Sequence, residues 1–289
     1  MKENMKEYYV ALDVGGTHCR IGLMENDHRG DLKIHLRKQT EIYPEFRSGI
    51  NALVSLIDEV SKGFNIQAIG GSFPGIIDEE KGAIRSATNL PDWNNQPIKD
   101  LMEERYQVPV GIFHDVAAAA MGEAVYGNGT GAKNFVFLIW GTGVGGAKVE
   151  TLMGKFHITS FEPGHHIADP KGDVCACGLR GCPDMIMGGG PLSKKLNKNL
   201  TKIEDSDPVW EDVARIAGQT VINTLAFHQT PLVIFGGGLI QKRQFLLSRI
   251  EEYISLKQEI FKIPEIRMTK LGDDAALYGV IALQRVDLI

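Results

Sequence analysis

Two short apolar runs, YYVALDV at residues 8–14 and FVFLIW at 135–140, each end in a glycine turn and then resume as a second apolar stretch, RIGLM at 20–24 and GAKV at 146–149. Runs of β-branched and aromatic residues that stop at glycine read as buried strands entering tight turns. The turns are GGT at 15–17 and GTG at 141–143, so one strand–turn–strand unit recurs 126 residues further on. A recurrence at that distance marks a duplicated α/β domain, not a short-period solenoid. A third run, PLVIF at 231–235, ends in Gly236, Gly237 and Gly238.

Helical patterns lie between these strands. Residues 49–62 place Ile50, Leu53, Ile57 and Val60 on one face, and 211–228 do the same with Val213, Ile216, Val221 and Leu225. Residues 116–125 are small and apolar, and 243–256 form a further amphipathic stretch. Strands alternating with helices predict an α/β fold, and 289 residues are enough for two domains. No Pro/Ser-rich linker separates the halves, which puts the crossing near 116–130. Residues 150–210 read as an irregular insertion.

Composition excludes several function classes. Lys and Arg number 31 against 36 Asp and Glu, a net charge of −5, and no basic run marks a nucleic-acid or anionic-membrane surface. No apolar stretch approaches the ~20 residues of a membrane-spanning helix. The opening MKENMKEYYV has no apolar signal core, so a cytoplasmic location is expected. Glycine, at 33 residues, is about 11% of the chain, above the usual ~7%, and it is clustered in turns.

Four groups of residues carry chemistry. In Asp13-Val14-Gly15-Gly16-Thr17, glycines let backbone N–H groups approach an anion, Thr17 adds a donor, and Asp13 suits Mg²⁺. The same residues also make an ordinary hairpin turn with a capping Asp. They match neither the Walker loop nor the strand–GxGxxG–helix fingerprint. Gly141-Thr142-Gly143-Val144-Gly145-Gly146 reads equally as a second phosphate cradle or a tight hairpin. Two such turns after like strands favour a nucleotide gripped between domains.

Cys175, Cys177 and Cys182 fall within eight residues and, with a histidine, make a closed Cys₃His zinc site that staples a loop-rich segment. Disulfides are disfavoured in a reducing compartment, and Cys19 lies far away. His165 and His166 compete for the fourth position. Asp115, in FHDVAAAA, stands between an apolar strand at 108–113 and a small-residue helix, at a sheet edge where α/β ligands bind. It fits two roles, a general base or the N-cap of that helix.

In this order, these elements resemble the ROK family of sugar kinases and sugar-responsive repressors, within the actin/hexokinase-like ATPase fold. The resemblance runs nearly end to end through LDVGGTHCRIGL (12–23), SFPGIID (72–78), TNLPDW (88–93), the Asp115 segment, GTGVGGA (141–147), EPGHH (162–166), GDVCACGLRGC (172–182), VIFGGGLI (233–240) and LGDDAALYG (271–279). It implies a two-lobed fold of duplicated α/β domains with a zinc-stapled insertion. One lobe would be residues 1–116 joined by a C-terminal helix at 275–289. The other would be 117–274, with the zinc knuckle at 165–182.

The resemblance also implies roles. Asp13 would help hold Mg²⁺, with Gly15, Gly16 and Thr17 at the γ-phosphate of ATP. Thr142 and Gly143 would meet the β and γ phosphates, and Gly236, Gly237 and Gly238 would pack beside the adenosine. Asp115 would be the general base for the 6-hydroxyl of an aldohexose or N-acetylhexosamine of the glucose, allose or N-acetylmannosamine class. Gly75, Asn89, His114, Glu162 and Asp184 would line the sugar, while His165 would bind both sugar and structural Zn²⁺, beside Cys175, Cys177 and Cys182. A homodimer is implied. Tyr8 already opens the first strand, which leaves no helix-turn-helix of the repressor branch and favours the kinase. The alternatives are a sugar-binding regulator of the same fold and a polyphosphate-dependent kinase.

This chain departs from the family pattern at five positions. The usual Asn-Asp-x-Asn around the base reads His114-Asp115-Val116-Ala117, and Cys-x-Glu after the knuckle becomes Cys182-Pro183-Asp184. Pro163 lies inside the Glu-x-Gly-His element, and His18 stands where Lys usually follows the phosphate Thr. All but His18 fall in the sugar site, where an unpaired buried polar group costs about 1–3 kcal/mol and so sets discrimination. The Thr-His-x-Arg and x-Asp-Val elements resemble the allose kinase branch.

Overall fold

The computed structural model describes residues 6–15, 18–26, 32–87, 89–257, 259–260 and 262–284. The chain divides into two compact units, Met1–Val125 with Asp274–Ile289, and Tyr126–Asp273.

The first unit contains β1 (Glu7–Val14), β2 (His18–Asn26), β3 (Leu32–Glu41), α1 (Phe46–Val60), β4 (Ile66–Phe73), β5 (Ile76–Asp78), β6 (Ala83–Ser86), α2 (Ile98–Tyr106), β7 (Val110–His114) and α3 (Asp115–Tyr126). Five of these strands form a sheet in the order β3-β2-β1-β4-β7, with β1, β4 and β7 parallel and the hairpin strands antiparallel. The expected face of α1 is the buried one: Ile50, Leu53, Ile57 and Val60 join Leu12, Ile21 and Phe73 in the core of this unit.

The second unit contains β8 (Asn134–Trp140), β9 (Val144–Leu152), β10 (Lys155–Phe161), α4 (Asp184–Met187), α5 (Gly189–Leu196), α6 (Val209–His228), β11 (Leu232–Gly236), α7 (Gly238–Lys242), α8 (Phe245–Lys257) and β12 (Glu265–Met268). Its sheet runs β10-β9-β8-β11-β12, again with an antiparallel hairpin on one side and parallel strands on the other. The two units therefore share one topology, in line with the repeated strand–turn–strand pattern. The helix α9 (Ala275–Leu283) returns to the first unit.

Two sequence expectations need adjustment. The division falls at Val125, not at residue 116, because α3 packs tightly on α9 within the first unit. A Cβ added at Gly279 would overlap the Ala118 carbonyl, and one at Gly122 would overlap that of Ala275, so the two helices meet at backbone distance. The stretch 150–210 is also more ordered than expected: it holds β10, α4 and α5, with the knuckle from Glu162 to Pro183 and residues 197–208 built of short turns. Among the described residues, no helix is long and apolar enough to cross a membrane.

Candidate active site

In the first unit the parallel strands β1, β4 and β7 end on one edge of the sheet, the edge where open α/β sheets hold ligands. Register sets Asp13 beside Ser72, and Ser72 beside Phe113, two residues before Asp115. The Ser72 hydroxyl, fully buried, donates to Asp13 Oδ1 at 2.9 Å. Arg20, opposite Asp13 on β2, brings a guanidinium nitrogen to 3.3 Å from Oδ2. The carboxylate is thereby aimed by a neutral donor and a cation.

Asp115 is the first residue of α3, and its Oδ1 accepts the Val116 N–H at 2.7 Å. The side chain is recessed but keeps 33% of its surface, and His114 Nε2 lies 3.5 Å from Oδ1. Desolvation, reinforced by the charge of Asp13, pushes the Asp115 carboxyl up to about 7. A carboxylate poised near neutrality is suited to take a hydroxyl proton. Glu79, in the turn after β5, is also raised by burial, and the charge of His114 works against that rise.

The other residues expected here have varied settings. Gly75 holds φ +90°, and a Cβ would run into the Ser86 carbonyl, so the chain after β4 requires glycine there. Asn89 is exposed, ahead of the short turn Pro91–Trp93. The Gly15 N–H donates to the His18 carbonyl at 2.8 Å and closes the first turn. Gly16 and Thr17 lie outside the described residues.

In the second unit the Gly141 N–H donates to the Gly143 carbonyl at 3.0 Å, leaving Thr142 exposed at the tip of the turn. The Gly236–Gly238 group adjoins it: a Cβ on Gly141 would stand 3.8 Å from the Gly238 nitrogen. Gly237 has φ +97° and lies against the Trp140 backbone, where a side chain would come within 2.5 Å of the carbonyl oxygen. Around Gly238 there is open space. Bare backbone beside open space is what an anion needs for close approach.

The cysteines and His165 come together. One ligand atom from each of His165, Cys175, Cys177 and Cys182 lies within 4.8 Å of all the others. Cys175 Sγ is 3.5 Å from His165 Nδ1, and Cys177 Sγ is 3.6 Å from Cys182 Sγ. Bonds of ~2.3 Å to sulfur around a tetrahedral ion require S–S edges of about 3.8 Å, so the donor set fits such an ion. Burial pushes the Cys182 thiol up to about 12, and a bound cation would be what draws its proton off at neutral pH.

His166 is committed elsewhere. Its Nδ1 is 2.9 Å from the Pro163 carbonyl and its Nε2 is 2.9 Å from Asn223 Nδ2, while burial lowers its pKa. The neutral ring thus donates from Nδ1 and accepts at Nε2. Glu162, exposed, precedes the short turn Pro163–His165. Asp184 opens α4 and accepts the Val144 N–H on Oδ1 at 3.0 Å; burial raises its pKa, partly offset by His165.

The ROK family profile matches residues 9–286. The chain belongs to the ROK family. It is 32% identical to a glucokinase from Thermotoga maritima, over 95% of this chain and 96% of that one. It is 26% identical to an N-acetylmannosamine kinase from Haemophilus influenzae, over 93% of each. Among solved structures, the ROK family glucokinase of Streptomyces griseus in complex with glucose and AMPPNP superposes with a TM-score of 0.78 at 25% identity, covering 96% of this chain and 98% of that one.

Within this ROK chain, sequence reasoning missed the partners of its candidate residues. Ser72 lies between GG and F in an apolar strand, and no motif marks its hydroxyl as the donor to Asp13. Asn223 lies mid-helix in α6, 57 positions from the histidine it engages. Such pairs are set by strand register and helix packing, not by local spacing.

Proposed function

We propose that this protein is an ATP-dependent sugar kinase, transferring the γ-phosphoryl group to the 6-hydroxyl of an aldohexose or N-acetylhexosamine, with Asp115 as the general base. The observation that carries this reading is the carboxyl edge of the first unit, where desolvation, reinforced by the charge of Asp13 on the neighbouring strand end, raises Asp115 to about 7. The relatives support the same reading, since their names join glucose and N-acetylmannosamine to one family.

Asp115 would take the hydroxyl proton as the oxygen attacks phosphorus. Holding that oxygen in line contributes more than the proton transfer itself, because phosphoryl transfer depends chiefly on positioning and charge stabilisation. Asp13, aimed by Ser72 and Arg20, would hold Mg²⁺ directly or through water, and the ion when bound neutralises charge on the phosphate oxygens. The Gly141–Gly143 turn, with Gly237 and Gly238 beside it, offers backbone amides to the β and γ phosphates. His165, Cys175, Cys177 and Cys182 would hold a structural Zn²⁺; four protein ligands fill its coordination and leave no place for a reactive water.

A coupled ADP-release assay over glucose, mannose, allose, fructose, N-acetylglucosamine and N-acetylmannosamine tests this. Turnover is expected with at least one aldohexose or N-acetylhexosamine. ADP release that no sugar stimulates would refute the kinase.

A further inference from the structure

The zinc knuckle and the second glycine turn are far apart in sequence but share one joint. Asp184 follows the metal ligand Cys182 by two residues, and its carboxylate accepts the backbone N–H of Val144, the residue that closes the Gly141–Gly143 turn. The fit is tight. A Cβ on Gly143 would lie 3.1 Å from Asp184 Oδ1, and one on Gly188 would lie 2.5 Å from the same oxygen. The segment beyond Asp184 is fastened to the same turn twice more, and once to the strand residue that precedes it. The Gly189 N–H donates to the Gly141 carbonyl at 2.9 Å and the Gly190 N–H to the Thr142 carbonyl at 2.8 Å. The Trp140 indole N–H donates to the Met187 carbonyl at 2.6 Å.

The other arm of the cluster reaches the same place. Gly164, next to His165, packs where a Cβ would stand 2.6 Å from the Val144 carbonyl and 3.4 Å from Asp184 Cβ. Both arms of the Cys₃His cluster thus abut Val144, one through Gly164 and one through Asp184. A carboxylate hydrogen-bonded to an amide in this setting fixes that peptide plane, and with it the direction of the neighbouring N–H groups. Among the described contacts, the Asp184 carboxylate is engaged by the turn.

We infer that Asp184 is a positioning residue for the nucleotide phosphates, coupling occupancy of the Cys₃His cluster to the geometry of the Gly141–Gly143 turn. This rests on the reading of that turn as the phosphate site. It also gives the shorter side chain a reason: aspartate reaches Val144 N–H across a gap lined by Gly143 and Gly188.

Titration calorimetry with AMPPNP tests the coupling in the absence of turnover, on the wild type and on Asp184→Ala and Asp184→Asn, each metal-loaded and metal-depleted, with far-UV circular dichroism to establish folding. Losing one charge-assisted hydrogen bond predicts about a tenfold weaker nucleotide Kd for Asp184→Ala. Asp184→Asn keeps an accepting oxygen and is expected to retain nucleotide binding within about threefold. Metal depletion of the wild type should weaken AMPPNP by a similar factor, and depletion of Asp184→Ala should add little, since the joint is already cut. If Asp184→Ala fails to fold, the Asp184→Asn and metal-depletion arms still decide. Sugar affinity lost with nucleotide affinity intact, or two effects that simply multiply, would overturn the coupling. Wild-type protein that binds no AMPPNP would instead remove the nucleotide reading itself, and the coupling with it.

Discussion

The two units are built alike and equipped differently. In the first, register sets Asp13 on β1 against Ser72 on β4; at the corresponding place in the second it sets Ile139 on β8 against Gly236 on β11. One sheet edge carries a carboxylate with its hydroxyl partner, and the other carries an apolar side chain and no side chain at all. The same contrast holds after the outer parallel strand: β7 leads into Asp115, whereas β12 leads into a short turn, Gly272–Asp274. The two sheets share one strand order and differ in what their edges carry. One carries the groups proposed to move a proton and hold a cation, while the other offers bare backbone, which suits the close approach of a polyanion.

That division of labour can be broken experimentally. Asp115→Asn keeps size and the Val116 cap but removes the base, so kcat is expected to fall by about 10³-fold with the sugar Kd unchanged. Near-normal ADP release would place the chemistry elsewhere. The pH profile is next in size. Asp115 must be ionised to act, so kcat should fall about tenfold per pH unit below about 7, and a flat profile from pH 5.5 to 8 would contradict this.

The same shift has a stability consequence. A carboxyl held at about 7 in the fold, against 3.8 as its ordinary value, leaves the folded chain with more bound protons than the unfolded chain between those values. Stability contributed by this group therefore declines as pH rises from about 4 to 7. Asp115→Asn should have a higher Tm than wild type at pH 8, and the gap should close at pH 4.

Metal removal bears on the second unit alone. Chelation should lower its unfolding temperature by about 5 °C or more, and metal analysis should find close to one zinc per chain. A stripped protein with an unchanged melting curve would refute the staple. Two glycines sharpen the contrast further. Gly237→Ala, forced to φ +97° against the Trp140 backbone, should cost about 1–3 kcal/mol of stability. Gly238→Ala, in open space, should leave Tm within about 2 °C and weaken ATP by several-fold. Smallest is Ser72→Ala, expected to reduce kcat/KM for Mg·ATP about fivefold by releasing one oxygen of Asp13.

Legibility in the sequence followed the physics of each element. Buried parallel strands such as FVFLIW are apolar throughout, so their positions could be read directly. The edge strand β10, KFHITSF, has no continuous apolar run, and Thr159-Ser160 interrupts its alternation, so nothing local marks it. The cysteine cluster was legible because the ligands lie close along the chain. The choice of His165 over His166 was not, since it depends on Asn223, contributed by α6. Likewise the FHDVAAAA motif marks Asp115 but says nothing of Asp13 as its neighbour; strand order does that.

The packing of α9 has a bearing on how the chain comes off the ribosome. The second unit is continuous from Tyr126 to Asp273, whereas the first is completed only by a helix translated after all of it. Gly122 and Gly279 close against each other's helix, so the half that starts first is expected to finish last. Nascent chains stalled before Ala275 would hold a mature second unit, with the Asp115 helix still waiting for its cover.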